Sequence, residues 1–220
     1  MKILALDAAL GGFSAAVDDD TTVRARATGR QDALEDGIPL IDELLREAGL
    51  RLRDLDRIAV GVGPGSFTGV RIAVAYAKSL AYGAGVPLVG VSSYDALEPE
   101  DAEPPVLTVV HGRRGVVCAR LRTPVAATVA CGPVGEVLSR LLSGPPRALA
   151  AAGNTEDVFS QIAERGWTVR ALPPRRAVPA AAIADLARTR EPASTPHALA
   201  PDYGEAPVVT SPPSRAANRS

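Results

Sequence analysis

RIAVGVGPGSFTGVRIAVAYAKSLAYGAGVPLVGV, residues 57–91, joins two apolar runs through a glycine-rich turn and a long segment of small residues. The runs at 57–63 and 86–91 have the unbroken apolar character of strands buried on both faces. Between them a helix is predicted over 69–82, where Gly69, Ala73, Ala77 and Ala81 recur every four residues on one face. Nothing on that face is larger than a methyl group, so another helix can approach it closely. Val70, Val74 and Lys78 form an adjacent row, and Ile72, Tyr76 and Leu80 a third. Either this helix is buried centrally or one of its faces docks onto another chain.

The turn itself, GVGPGSFTG at 61–69, sits between a strand and a helix N-terminus, where backbone N–H groups suit a phosphate. Its spacing argues against that use. A P-loop has four residues between its glycines and then Lys-Ser or Lys-Thr, whereas Gly63 and Gly69 have five residues between them and are followed by Val70-Arg71. A dinucleotide-binding GxGxxG also fails, because Ser66 and Thr68 stand where a third glycine is needed. The glycines are then explained by a tight turn and close backbone contact, and Ser66 or Thr68 is placed to cap the helix.

Working outward, 2–7, 13–17 and 23–28 read as three strands joined by Gly11-Gly12 and Asp18-Asp19-Asp20, both short enough for hairpins. A helix over 33–48 follows, with Leu34, Ile38, Ile41, Leu45 and Ala48 at helical spacing and Gly49 as its stop. Leu40 and Leu44 widen its apolar face, which suggests that more than its own sheet covers it. The second half repeats the grammar: strands at 106–110, 116–121 and 125–131, a helix at 134–142, a strand at 148–152, a helix at 156–165, a strand at 168–172 and a helix at 180–188. From 191 onward six prolines, from Pro192 to Pro213, predict an extended tail without regular structure. The expected division is 1–92, 93–190 and a tail at 191–220. The order strand-strand-strand-helix-strand-helix-strand resembles half of an actin-like fold (ASKHA, ribonuclease H-like), which implies an α/β molecule of two tandem sheet-plus-helix subdomains.

With 46% apolar residues the 220-residue chain can bury a substantial core. Its net charge of −1 supplies no field to hold a polyanion, which disfavours direct, dominant RNA binding. Of 24 basic residues only Lys2 and Lys78 are lysines; this is a composition bias without functional content. The first apolar run is broken by Asp7, too early for a signal-peptide core or a membrane span, so a cytoplasmic, membrane-free protein is expected. Cys118 and Cys131 lack metal-site spacing and, in an intracellular chain, are expected to be buried free thiols.

The segment GPGSFTGVRIAVAYAKSLA (63–81) followed by VPLVGVSSYDAL (86–97) resembles the signature of the TsaB family, also called YeaZ. The likeness extends to KILALDAAL (2–10), PLIDELLREAGL (39–50), LRDLDRIAVG (52–61), VLTVVHGRRGVV (106–117) and PDYGEAPVVT (201–210), while 124–196 matches in pattern only. The resemblance implies a non-catalytic partner of TsaD in the formation of threonylcarbamoyladenosine on tRNA. Pairing is implied through the first two helices, with Ile38, Ile41 and Leu45 from one and Gly69, Ala73 and Ala77 from the other as contact residues. TsaE and TsaC are implied pathway partners, TsaE within the assembled complex, and tRNA is reached only through that complex. A homodimer on the same helix face is an alternative.

Departures from the related ATPases point the same way. An actin-like ATPase follows its first-strand aspartate with hydroxyl residues; here Asp7 precedes Ala8, Ala9 and Leu10. The relatives commonly have Asp-Thr there and Asp-Ala-Arg where this chain has His111-Gly112-Arg113. Asp7, Gly63, Gly65, Ser66 and Thr68 are therefore a vestigial phosphate loop. TsaD holds its metal with His-x-x-x-His, and the two histidines here, His111 and His197, are far apart. No metal or cofactor is expected. A peptidase assembled from Ser66, His111 and Asp7 lacks the GxSxG elbow. The arginines at 165, 170, 175, 176, 188 and 190 read as a solvated surface or an RNA-facing patch of the complex. The remaining alternative is an actin-like kinase or ATPase with a nucleotide between its halves.

Overall fold

The computed structural model describes residues 1–29, 35–112, 114–145, 147–156 and 158–204. Leu34 at the start of the first predicted helix, Arg113, and the tail beyond Gly204 with Pro207, Pro212 and Pro213 lie outside them.

Three strands, β1 (Ile3–Asp7), β2 (Ser14–Asp18) and β3 (Val23–Ala27), open the chain. Helix α1 (Gly37–Glu47), strand β4 (Arg57–Gly63), helix α2 (Phe67–Ala84) and strand β5 (Leu88–Ser92) complete a five-stranded sheet ordered β3-β2-β1-β4-β5. β1 pairs antiparallel with β2 and parallel with β4, and β4 is parallel to β5. A short helix, α3 (Ser93–Leu97), not foreseen from the sequence, leads into the second half. There β6 (Val106–His111), β7 (Val117–Arg122), β8 (Ala127–Gly132), α4 (Val134–Leu141), β9 (Ala148–Gly153), α5 (Phe159–Glu164) and β10 (Thr168–Ala171) build a sheet ordered β10-β9-β6-β7-β8. Strand for strand this is the first sheet's topology again. The molecule is thus an actin-like pair of mixed sheets with helices.

β1 shows why the first sheet reads as continuously apolar. Leu4 and Leu6 face the core shared with α1 and α2, while Ile3 and Ala5 face the opposite layer, the period-two alternation of a strand covered on both sides. That opposite layer is α6 (Pro179–Ala187), whose alanines and Ile183 are buried against Ile3, Ala5, Ala16, Ala59 and Val89. Although α6 follows the second sheet in the chain, it packs on the first. Phe13 is fully buried beneath α1 and meets the Tyr76 ring edge-on at 5.9 Å; removing such a side chain from water contributes roughly 1.5–3 kcal/mol.

The local signals act as expected. Ser66 caps α2, its Oγ accepting the Gly69 N–H at 3.2 Å, a bond worth about 1 kcal/mol. α2 begins two residues earlier than predicted and stops at Gly85, in the left-handed region at φ 69°. α1 ends where Gly49, φ 65°, sends its N–H back to the Arg46 carbonyl.

Two expectations are corrected. Cys118 and Cys131 are not free thiols but a disulfide: the β7–β8 register sets them directly opposite, with Cα atoms 4.1 Å apart. Register, invisible in a spacing of 13 residues, decides the pairing. Nor is the segment from 191 to Gly204 without regular structure. A 3-10 turn forms over Pro196–Ala198, and the segment straps the first subdomain: the Ala193 N–H donates to the Leu88 carbonyl (2.8 Å) and the Asp202 N–H to that of Val62 (2.7 Å). Proline removes donors but leaves carbonyls and neighbouring N–H groups to bind another element's edge.

Candidate functional site

Two surfaces gather the residues singled out in the sequence. The first is a cleft of about 610 Å³ between the subdomains. Its walls come from the β1–β2 loop (Ala9, Leu10), the start of α2 (Ser66, Phe67, Thr68), the β6–β7 hairpin (His111, Arg114) and Asn154. Of the predicted phosphate-loop residues, Ser66 and Thr68 line it; Asp7, Gly63 and Gly65 do not.

Asp7 is 1% exposed. One carboxylate oxygen accepts the Leu10 N–H at 3.1 Å, and the other is buried without a hydrogen-bond partner. It lies against Gly61, where any side chain would overlap it. Burial pushes the Asp7 carboxyl up to about 6, against the pull of the Leu10 and Ala9 N–H groups. The loop glycines face protein backbone: the Asp202 carbonyl fills the space beside Gly63, that of Ala9 the space beside Gly65, and that of Ala8 the space beside Gly69. Of the donors a phosphate would use, the Ser66 N–H already binds the Ala9 carbonyl (2.9 Å) and the Gly69 N–H the Ser66 hydroxyl. The glycines thus bring the first-strand loop and the C-terminal strap onto the turn.

Among the described residues no hydrogen bond joins Ser66, His111 and Asp7; the His111 main-chain N–H donates to the Asn154 side chain at 3.4 Å. Nor do those residues include three His, Cys, Asp or Glu grouped to hold a metal ion, and none of their helices is long and apolar enough to cross a membrane.

The second surface is an apolar groove of about 480 Å³ between α1 and α2. Ile38, Ile41 and Leu45 line it together with Leu50, Leu52 and Leu80, and a second hollow of about 430 Å³ continues past Leu80 along Ser79 and Gly83. Ile38 is 46% exposed, whereas Ile41 and Leu45 form the floor. The structure therefore gathers the three α1 residues but separates them from Gly69, Ala73 and Ala77. Those three are buried in the chain's own core against β1 and β4. Of the two alternatives for the small face, central burial is the one observed: the sheet, not a foreign helix, makes the close approach. What α2 turns outward is Arg71, Ala75, Ser79 and Tyr82. The predicted contacts omit Leu50, Leu52 and Leu80, the last of them from α2, where the Ile72–Tyr76–Leu80 row carried its signal.

The family model described as "TsaD: tRNA N6-adenosine threonylcarbamoyltransferase" matches residues 31–171. Among similar proteins, the tRNA threonylcarbamoyladenosine biosynthesis protein TsaB of Escherichia coli (strain K12) is 40% identical over 94 residues, 42% of this chain and 41% of that protein. TsaB of Haemophilus influenzae is 47% identical over 60 residues, 27% of this chain and 25% of its own length. The matches thus span less than half the length of these relatives. The solved structure of YeaZ from Pseudomonas aeruginosa superposes with a TM-score of 0.68 at 24% identity, covering 92% of this chain and 100% of that one.

Proposed function

Because the chain belongs to the family described as TsaD, tRNA N6-adenosine threonylcarbamoyltransferase, and within it to TsaB (YeaZ), we propose that it serves threonylcarbamoyladenosine biosynthesis as a non-catalytic subunit that pairs with TsaD. The observation that carries this reading is the apolar groove between α1 and α2, where Ile38, Ile41, Leu45 and Leu80 form one continuous surface. A partner helix seated there gains by covering apolar area that its own chain leaves in water. The contact set is then Ile38, Ile41, Leu45 and Leu80, with Gly69, Ala73 and Ala77 acting from beneath by letting α2 lie close to the sheet. TsaE joins in the assembled complex, and tRNA is met only there.

The sealed Asp7 and the occupied donors of the turn support a subunit that performs no phosphoryl chemistry. Ile38→Arg and Leu80→Arg should each weaken binding to the cognate TsaD at least 100-fold, measured by light scattering and titration calorimetry, while Val129→Arg on the distant β8 leaves it unchanged. A complex indifferent to both groove variants would overturn the assignment.

The volume of the cleft favours a second reading, a nucleotide held between the halves as in actin-like ATPases. Titration of the isolated chain with ATP and magnesium separates the two, since tight binding would favour the second. Self-association through the groove would show as a dimer that TsaD displaces.

A further inference from the structure

The C-terminal strap reaches the disulfide. Gly204, the last described residue, lies so close to the sulfurs of both Cys118 and Cys131 that a side chain there would overlap them, and it also abuts Pro64 of the glycine turn. Behind the disulfide, Cys118 belongs to an apolar cluster with Tyr94 and Val110, packed also by Leu10, Leu97 and Cys131. This cluster joins the β1–β2 loop, α3 and the second sheet, so it lies between the subdomains. Among the described residues, the strap lies against the sulfurs, pinned by the Asp202 N–H on the Val62 carbonyl and by the Tyr203 ring against Phe67 at 4.8 Å. Phe67 in turn lines the cleft.

We infer that Cys118–Cys131 is a thiol–disulfide modification site, acted on by dithiol reductants, whose oxidised state holds the end of the strap across both subdomains and whose reduction releases it. Two sulfurs that share a bond stand closer than two in non-bonded contact, by roughly 1.5 Å. On reduction that extra room must come from the neighbours. Tyr94 and Val110 are 4% and 1% exposed and cannot withdraw, whereas the strap can lift into solvent. The dependence is reciprocal: a strap that docks better on the disulfide also shields it.

The chemistry balances with a dithiol alone. A reductant thiolate attacks the sulfur of Cys131, the less buried of the pair, and forms a mixed disulfide while Cys118 leaves as a thiolate and takes a proton. The reductant's second thiol then displaces Cys131, which also takes a proton. Two electrons pass to the cystine, and the reductant ends as its cyclic disulfide.

Hydrogen exchange on the full-length chain, with dithiothreitol as the reductant, tests this. Reduction should speed exchange of the Asp202 amide at least 10-fold and leave that of Ala193 within twofold. A Cys118→Ser/Cys131→Ser double variant should match the reduced protein with or without dithiothreitol. Gly204→Ala, which crowds the sulfurs from the strap side, should make native-state reduction at least 5-fold faster. The reduced wild type supplies the main comparison without any substitution. Asp202 exchange within twofold between the two states would overturn the inference, as would reduction of Gly204→Ala at the wild-type rate, or two alkylatable thiols in the air-oxidised chain.

Discussion

Asp7 occupies the place from which related folds grip a metal-bound phosphate, yet here it faces the interior. Its carboxyl titrates near 6 in the native chain against an ordinary 3.8, so between those values the folded state binds a proton that the unfolded state has lost. Stability from this group is full below pH 3.8 and is lost as pH rises through 6. Asp7→Asn keeps an oxygen for the Leu10 N–H and removes the charge. Its advantage over the wild type should be near zero at pH 4 and reach about 2–3 kcal/mol at pH 7.5, measured by urea unfolding at both values. Ala8 and Ala9 made the missing hydroxyls legible in the sequence. The burial of Asp7 was not legible, because it depends on Gly61 one strand away and on α6 at the other end of the chain.

α2 separates what periodicity can tell from what it cannot. The every-fourth-residue pattern of Gly69, Ala73 and Ala77 correctly announced a close neighbour but did not say which, since a sheet and a foreign helix demand the same small side chains. The inward face gives a direct test. Ala77→Leu must force leucine into a filled layer and should cost about 1–3 kcal/mol, whereas Ala75→Leu on the outward face should stay within about 0.5 kcal/mol, both read by thermal denaturation. Strands, both main helices and their order were legible because each carries its own period, with Gly49 as the stop signal of the first helix. α3 was not, since five residues hold less than two turns of pattern. The strap was not either, because its hydrogen bonds reach residues more than a hundred positions away. Of the candidate site, the α1 residues Ile38, Ile41 and Leu45 were readable from their helical spacing, whereas Leu40 and Leu44, which widened that face in the sequence, are buried in the chain's own core.

At the scale of the molecule, a charged network ties the second sheet to α3 and to the segment after α6. Glu98, 6% exposed, accepts from Thr108 (3.0 Å), Arg120 (2.8 Å) and Arg122 (2.5 Å). Arg120 also binds Asp95, which receives Arg190 at 2.6 Å. Removing one member strands the others in a poorly hydrated place, so Glu98→Ala should destabilise the chain by about 3–5 kcal/mol, with Glu98→Gln recovering part of the loss in the same urea titration. The position of α6 has a consequence for biogenesis. The first sheet is complete at Ser92, but the layer covering Ile3, Ala5, Ala16 and Ala59 begins only at Pro179. At about 5–20 residues per second, the ribosome takes on the order of 5–20 s to deliver that cover. For that interval the nascent first half displays a bare greasy flank beside a second half still being made, which marks the emerging polypeptide as a client for chaperones that shield apolar surface until the last helix arrives.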